Sequence, residues 1–297
     1  MRQVLLVIAF ASAACGASAA APGQSTNKED SGVSADASDL AVDGAPATCT
    51  DPPDAPGTSC VLEVKGSVQD LSGKPLNNVG MTFCGAQCYG GQSEKTGTFA
   101  ISVGIFLPTE DYAIHADGRP DHAVDYHRLT ANEPSIISAT MRLPVLPPSS
   151  VQLPADGAPA SSVTVGDLTL LVAAGTVFNL DIEDYMVTRA LRVALVPLAS
   201  APSYAADAKV DAIYALAPSG CVPSIKVGIA LKNSAMLPAS SAVEFLVLGD
   251  DYSSLPPNVG ILSVQATGHV SADGQTIQTD PGEGISELTW LAVRKAN

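Results

Sequence analysis

The side chains with chemical potential gather between His115 and His127. That stretch, His-Ala-Asp-Gly-Arg-Pro-Asp-His-Ala-Val-Asp-Tyr-His, holds three of the four histidines together with Asp117, Asp121, Asp125 and Arg119. Imidazoles and carboxylates at this density are the donor set of a transition-metal site or a proton relay. The spacing supports neither. The chain contains no H-E-x-x-H and no H-x-x-E, and nothing around the cluster has an apolar period that would set two ligands on one helix face. The stretch therefore reads as a solvated loop rimming a β domain, with Arg119 paired to one of the aspartates. Recognition on a β-sandwich falls to loops and edges, and Arg and Tyr carry interface energy out of proportion to their number. Arg119, Asp121, His122 and Tyr126 are accordingly the candidate binding loop, inside an irregular segment expected from Ala116 to Asn132.

Cysteine is the other reactive type, at positions 15, 49, 60, 84, 88 and 221. A charged start, Met1-Arg2, leads into an apolar run from Val4 to Ala14 that suits export and is too short to span a bilayer. Two readings of its end stand side by side. Ser12-Ala13-Ala14-Cys15 resembles a bacterial lipobox, with Ser for the usual Leu; Cys15 would then be acylated and residues 1–14 removed as a lipoprotein-type signal peptide. Cleavage after Ala17-Ser18-Ala19 would instead release a secreted, soluble protein. With Cys15 acylated, five cysteines remain, and an odd number leaves at least one outside any disulfide within the chain. Cys84 and Cys88 bracket Gly85-Ala86-Gln87 and fit a disulfide in an exported protein, with thiols or a metal pair as alternatives. Cys49 and Cys60 flank Asp-Pro-Pro-Asp-Ala-Pro-Gly-Thr-Ser; bridging them would pin the first strand at a gain of about 2–3 kcal/mol. From export and the odd count, Cys221 is expected to be the unpaired cysteine, a buried thiol.

Other chemistry is not signalled. No G-x-S-x-G and no phosphate-binding glycine loop occurs, so no catalytic, cofactor-binding or metal-binding residues are assigned and the chain is expected not to be an enzyme. Asp181, Glu183, Asp184, Asp250 and Asp251 lack the acidic-glycine spacing of a calcium loop and read as acidic surface. A formal charge of −15 disfavours nucleic acid and anionic lipid headgroups as partners. Only 5% of residues are aromatic, with Trp290 the single Trp, so stacking platforms for sugars or single strands are scarce.

These residues need strands to hold them. Leu62, Val64 and Val68 alternate with Glu63, Lys65 and Gln69, and Val79, Met81 and Phe83 repeat the period. Asp70-Leu71-Ser72-Gly73 is the turn between, with a side chain able to bond its own backbone and a glycine able to take positive φ. Phe99, Ile101 and Val103 form a third alternating strand after Thr96-Gly97, and Asp111-Tyr-Ala-Ile-His-Ala-Asp-Gly follows. This order of strand, D-x-x-G turn, Lys74-Pro75-Leu76, strand, Thr96-Gly97-x-Phe99 and strand resembles the carboxypeptidase regulatory-like domain. The resemblance covers about residues 60–145 and implies a small sandwich of transthyretin-like topology. In its namesake family that sandwich is an accessory to a zinc peptidase, so the likeness implies no activity of its own.

The second half also reads as β. Leu191, Val193 and Leu195 alternate, as do Ile225, Val227, Ile229 and Leu231, and Val243 to Leu248 is a more fully buried run. Turns are expected at Ala217-Pro-Ser-Gly220, Leu255-Pro-Pro-Asn258, Ala272-Asp-Gly274 and Asp280-Pro-Gly282. About eight strands result, and only the region of Ile182 to Val193 has a helical look. Val172-Ala-Ala-Gly-Thr176, Tyr214-Ala-Leu-Ala-Pro218 and Val270-Ser-Ala-Asp-Gly274 resemble ZU5-type sandwiches.

The organisation expected is all-β, with two β-sandwich domains after a signal peptide and a disordered linker. Residues 1–14 are the signal, 15–58 a low-complexity linker too poor in large aliphatics to order itself, 59–146 the first sandwich and 147–297 the second. The function expected is that of a non-enzymatic outer-membrane lipoprotein, held by a lipid anchor and contacting an unknown envelope protein or polysaccharide without cofactor or nucleic acid. The alternatives are a carbohydrate- or small-ligand-binding module and an accessory protein of a secreted peptidase system.

Overall fold

The computed structural model describes residue 49 and residues 57–85, 87–108, 111–130, 136–180, 189–250 and 259–296. Residues 45–297 form one compact unit. Its described part is β throughout, apart from a 3-10 turn at Leu198–Ser200 and a single short helix, Ser203–Asp207. Among the described residues no helix is long and apolar enough to cross a membrane.

The first half is a sandwich of two sheets. One is ordered β4 (Thr98–Pro108), β1 (Thr58–Asp70), β7 (Ile136–Leu143). The other is ordered β3 (Cys88–Gln92), β2 (Gly80–Cys84), β5 (Asp111–Asp117), β6 (Val124–Thr130). The alternation read in the sequence places the core: Val64 and Val68 of β1, Met81 and Phe83 of β2 and Phe99 and Ile101 of β4 meet in one buried cluster. The Asp70 turn forms as its residue types require. The Asp70 carboxylate accepts the backbone N–H groups of Ser72 at 2.8 Å and Lys74 at 3.0 Å, and Gly73 has φ +88°.

The second half is built on one nine-stranded sheet. Its order is β11 (Arg192–Val196), β12 (Ala212–Ala217), β18 (Trp290–Lys295), β15 (Ala242–Leu248), β16 (Leu262–Val270), β17 (Thr276–Thr279), β14 (Gly228–Lys232), β9 (Leu168–Val172), β8 (Ser161–Val165). A two-stranded ribbon, β10 (Phe178–Asn179) with β13 (Val222–Pro223), accompanies it. Leu168 and Leu170 from one end of the sheet share a buried cluster with Tyr214 and Leu216 from the other, so the sheet curls around its own core.

Strands β12, β15 and β18 are buried on both faces, which is why Val243–Leu248 lacks alternation. Val243, Phe245 and Val247 point into the curled core, while Leu246 and Leu248 point outward into a second cluster shared with the first sandwich. Cys221 is fully buried in the curled core, as expected of it. The helical look of the 182–193 region falls mostly outside the described residues; Arg192 and Val193 are in strand β11. Ile225, read as a core position, is 42% exposed, because β14 begins only at Gly228.

Candidate functional site

The structure turns most of the polar segment into a β-hairpin. Ala116 and Asp117 end β5, β6 begins at Val124, and only residues 118–123 form a turn, so the irregular segment expected from Ala116 to Asn132 is not one. Residues 131–135 lie outside those described. The reading failed because a short His- and Asp-rich strand that is covered by another part of the chain lacks the apolar alternation of a half-buried strand.

The candidate binding residues part company on this hairpin. Tyr126 sits in β6, 2% exposed, its ring stacked on that of His115 at a centroid distance of 4.5 Å. It is a core side chain and is unavailable to a partner, which corrects its place in the candidate loop. Arg119 is clamped on Asp117, donating from Nε at 2.9 Å and from Nη2 at 2.6 Å. Burial raises the Asp117 carboxyl, but the bonds and charge of Arg119 outweigh that and hold it below the usual carboxylate range. Asp121 is exposed and His122 is half-buried at the turn. The turn itself is sewn to the connector that follows the first sandwich: Ala123 N–H donates to Pro144 O, and Leu146 N–H to Asp121 O. Arg192, from β11, donates to the carbonyls of Pro120, Leu146 and Pro147.

Strand β6 leads into a buried polar network at the seam between the halves. Asp125 is fully buried. Its carboxylate accepts the Tyr204 hydroxyl at 2.7 Å, the Tyr126 backbone N–H at 3.0 Å and His127 Nε2 at 2.9 Å. Tyr204 comes from the short helix of the second half and meets the Trp290 and His127 rings edge-on. Trp290 donates its indole N–H to Val124 O at 2.7 Å. Ala123, Val124, Tyr126 and Leu146 of the first half pack there with Ile213, Ala215, Leu246, Leu248, Trp290 and Ala292 of the second. Gly260 has φ +71°, and a Cβ there would lie 2.6 Å from the Arg128 backbone nitrogen, so only glycine lets this backbone lie against β6.

Burial and the Asp125 charge push the Tyr204 hydroxyl well above its ordinary value. Burial alone would lower His127, yet the Asp125 carboxylate prevails and raises it. Chemically the network is a closed set of satisfied donors around one buried carboxylate, a brace more than a reaction site. Sequence reading missed Tyr204 and Trp290 as its members. The one signal was the single Trp, whose indole N–H needs an acceptor when buried.

A second feature is open. An outer-face trough of about 820 Å³ runs over the far end of the nine-stranded sheet, where Gly228 supplies no side chain. Leu171 and Ile225, each more than 40% exposed, line it, with Lys226, Gln278, His269 and Asp280. His269 Nδ1 donates to Asp280 at 2.9 Å, Thr267 donates to the same carboxylate at 2.9 Å, and Gln278 donates to His269 Nε2 at 3.3 Å. Those bonds from His269 and Thr267 lower the Asp280 carboxyl. Of the five acidic residues read as surface, Asp181, Glu183, Asp184 and Asp251 lie outside the described residues, and Asp250 is buried, which corrects its place among them. Among the described residues no group of three or more His, Cys, Asp or Glu is placed to hold a metal ion.

The disulfides Cys49–Cys60 and Cys84–Cys88 are both formed. Cys15 lies outside the described residues. Compared with protein-family models and with curated protein sequences, the chain matches none.

Proposed function

We propose that the chain is a non-enzymatic cell-envelope lipoprotein, acylated at Cys15 and held at the outer membrane through its low-complexity linker. Its first half is then a carboxypeptidase regulatory-like sandwich, and its two braced sandwiches form a rigid interaction body for an envelope protein or polysaccharide. The observation that carries this reading is the fate of the reactive side chains. Asp125, His127, Tyr204 and Tyr126 hold two sandwiches in register and are not displayed where a substrate could meet them. The two disulfides suit an oxidising compartment outside the cytoplasm. Metabolic labelling with a palmitate analogue should tag the protein and pellet it with membranes, and Cys15→Ala should lose both. A mature N-terminus at Ala20 in unlabelled protein would refute the anchor.

A small-ligand or carbohydrate-binding role is the second reading, favoured by the trough with its hydrogen-bonding row of Gln278, His269 and Asp280. Glycan-array binding that Gln278→Ala abolishes would select it over the first.

A further inference from the structure

Most strand edges of the molecule are approached by a neighbour. Strand β3 lies beside β4 and β6 beside β7. At one end of the nine-stranded sheet, the stretch leading into β11 is paired with residues 151–153 through the Gln152–Ala190 bridge and the Leu191 N–H to Val151 O bond. Strand β8 ends the sheet on the other side and, among the described residues, pairs with β9 alone. Its register with β9 closes at Val165–Leu168 around the two-residue turn Gly166-Asp167, Gly166 having φ +56°. In such a hairpin the backbones of Ser161, Val163 and Val165 bond inward to β9, and those of Ser162 and Thr164 face outward. Among the described residues nothing bonds those outward N–H and C=O groups.

Exposed edges in monomeric proteins are usually guarded by charge, proline or a bulge. Ser-Ser-Val-Thr-Val has no charged residue and no proline, and its register with β9 is unbroken. We propose that β8 is a self-association edge: two copies of the chain pair β8 with β8 antiparallel, about a two-fold axis at Val163, and join their nine-stranded sheets.

The sequence of β8 is complementary to itself in that register. Ser162 of each copy faces Thr164 of the other, and each such pair exchanges both N–H···O=C bonds. The hydroxyls of these pairs lie together on the trough face, a favourable cross-strand combination, and Val163 meets Val163 on the core face. Although each chain carries −15, no like charges oppose each other along the pairing. The turn carrying Asp167 of one copy is directed toward the end of the trough that holds Lys226 of the other. An isologous contact uses up the edge of both copies, so the assembly stops at two and does not grow into a filament. With only five residues a side, the dimer is weaker than standard-size interfaces and its population depends on concentration.

Sedimentation of the purified full-length chain over a wide concentration range should show monomer passing to dimer. Thr164→Pro deletes an outward N–H while leaving the bonds to β9, and should raise the dissociation constant about ten-fold or more without moving the unfolding midpoint. Ser162→Lys with Thr164→Lys sets lysine against lysine twice and should give monomer only. Ser162→Lys with Thr164→Glu sets lysine against glutamate and should restore the dimer, a rescue that a purely structural role for β8 would not produce. A wild-type chain that stays monomeric throughout, or a dimer indifferent to the paired-lysine change, overturns the proposal.

Discussion

The outer face of the nine-stranded sheet is built in two ways. At the end formed by β12, β18 and β15 it presents Ile213, Ala215, Trp290, Ala292, Leu246 and Leu248, and the first sandwich covers it together with Tyr204 and Ala205 of the short helix. At the end formed by β17, β14, β9 and β8 the same face presents Gln278, Gly228, Leu171 and Ser162, and it is open. The inner face of both ends is apolar and belongs to one core. A single sheet thus shows what decides whether a β surface becomes an interior or an exterior. The decision lies in the outward-facing alternate residues, which are uniformly apolar under the first sandwich and a mixture of polar residues, glycine and one leucine beyond it.

The contrast breaks most visibly at Trp290. Trp290→Ala removes the largest side chain of the seam and leaves Val124 O without its donor, and should cost about 3–5 kcal/mol in chemical unfolding. Gln278→Ala, on the same face at the open end, should change stability by no more than about 0.5 kcal/mol. Equal effects at the two sites would mean that the covered end contributes nothing beyond contact.

Asp125 comes next. Asp125→Ala strands the Tyr204 hydroxyl and His127 in a buried site, a loss of the size seen when one partner of a buried pair is removed, about 3 kcal/mol. The corresponding change at the open end, Asp280→Ala, breaks an exposed His269 pair and should cost well under about 1 kcal/mol. Urea unfolding of the two variants side by side checks the difference.

The all-β class, the core of the first sandwich and the D-x-x-G turn were legible because each rests on local period or local turn chemistry, whereas the buried Cys221 followed from the odd cysteine count. Val64, Val68, Met81, Phe83, Phe99 and Ile101 alternate whether or not the rest of the chain is known. The seam was not legible for the complementary reason. Asp125, His127 and Tyr126 read as surface, since their burial is created by Tyr204 and Trp290, which lie far along the chain, and no local pattern records a partner at that distance. Strand β8, read only as part of a generic β half, likewise shows its bare edge only once the sheet order is known.

Gly260 offers a sharper cut at the seam with a smaller effect. Gly260→Ala must hold φ +71° and push its Cβ against the Arg128 backbone, so a loss of about 1–3 kcal/mol is expected. Gly166→Ala, also at positive φ but with open space around it, should cost less, about 1 kcal/mol. The excess at Gly260 measures the close approach of the two halves apart from backbone strain.

The smallest expected effect is on pH dependence, and it sets two histidines of one hairpin against each other. His127 faces Asp125 across 2.9 Å, with the Tyr204 ring edge-on. Burial lowers its pKa, the carboxylate more than compensates, and the folded value lies above the ordinary one. A raised histidine contributes stability that is fully present below the unfolded value, about 6.5, and is lost as pH climbs through the folded value. His122, at the turn, is pulled down first by burial; Asp121 and Asp70 oppose this, Lys74 and Arg192 add to it, and the net shift is downward. A lowered histidine contributes stability that is present above about 6.5 and is lost as pH falls through the folded value. The stability difference between wild type and His127→Gln should therefore shrink on going from slightly acidic to alkaline solution. The difference for His122→Gln should shrink in the opposite direction, and by less, because that side chain is only half-buried. Unfolding midpoints of the three proteins measured through neutrality decide the matter. If both differences run the same way with pH, Asp125 does not hold His127 in its charged form and the seam is joined by shape alone.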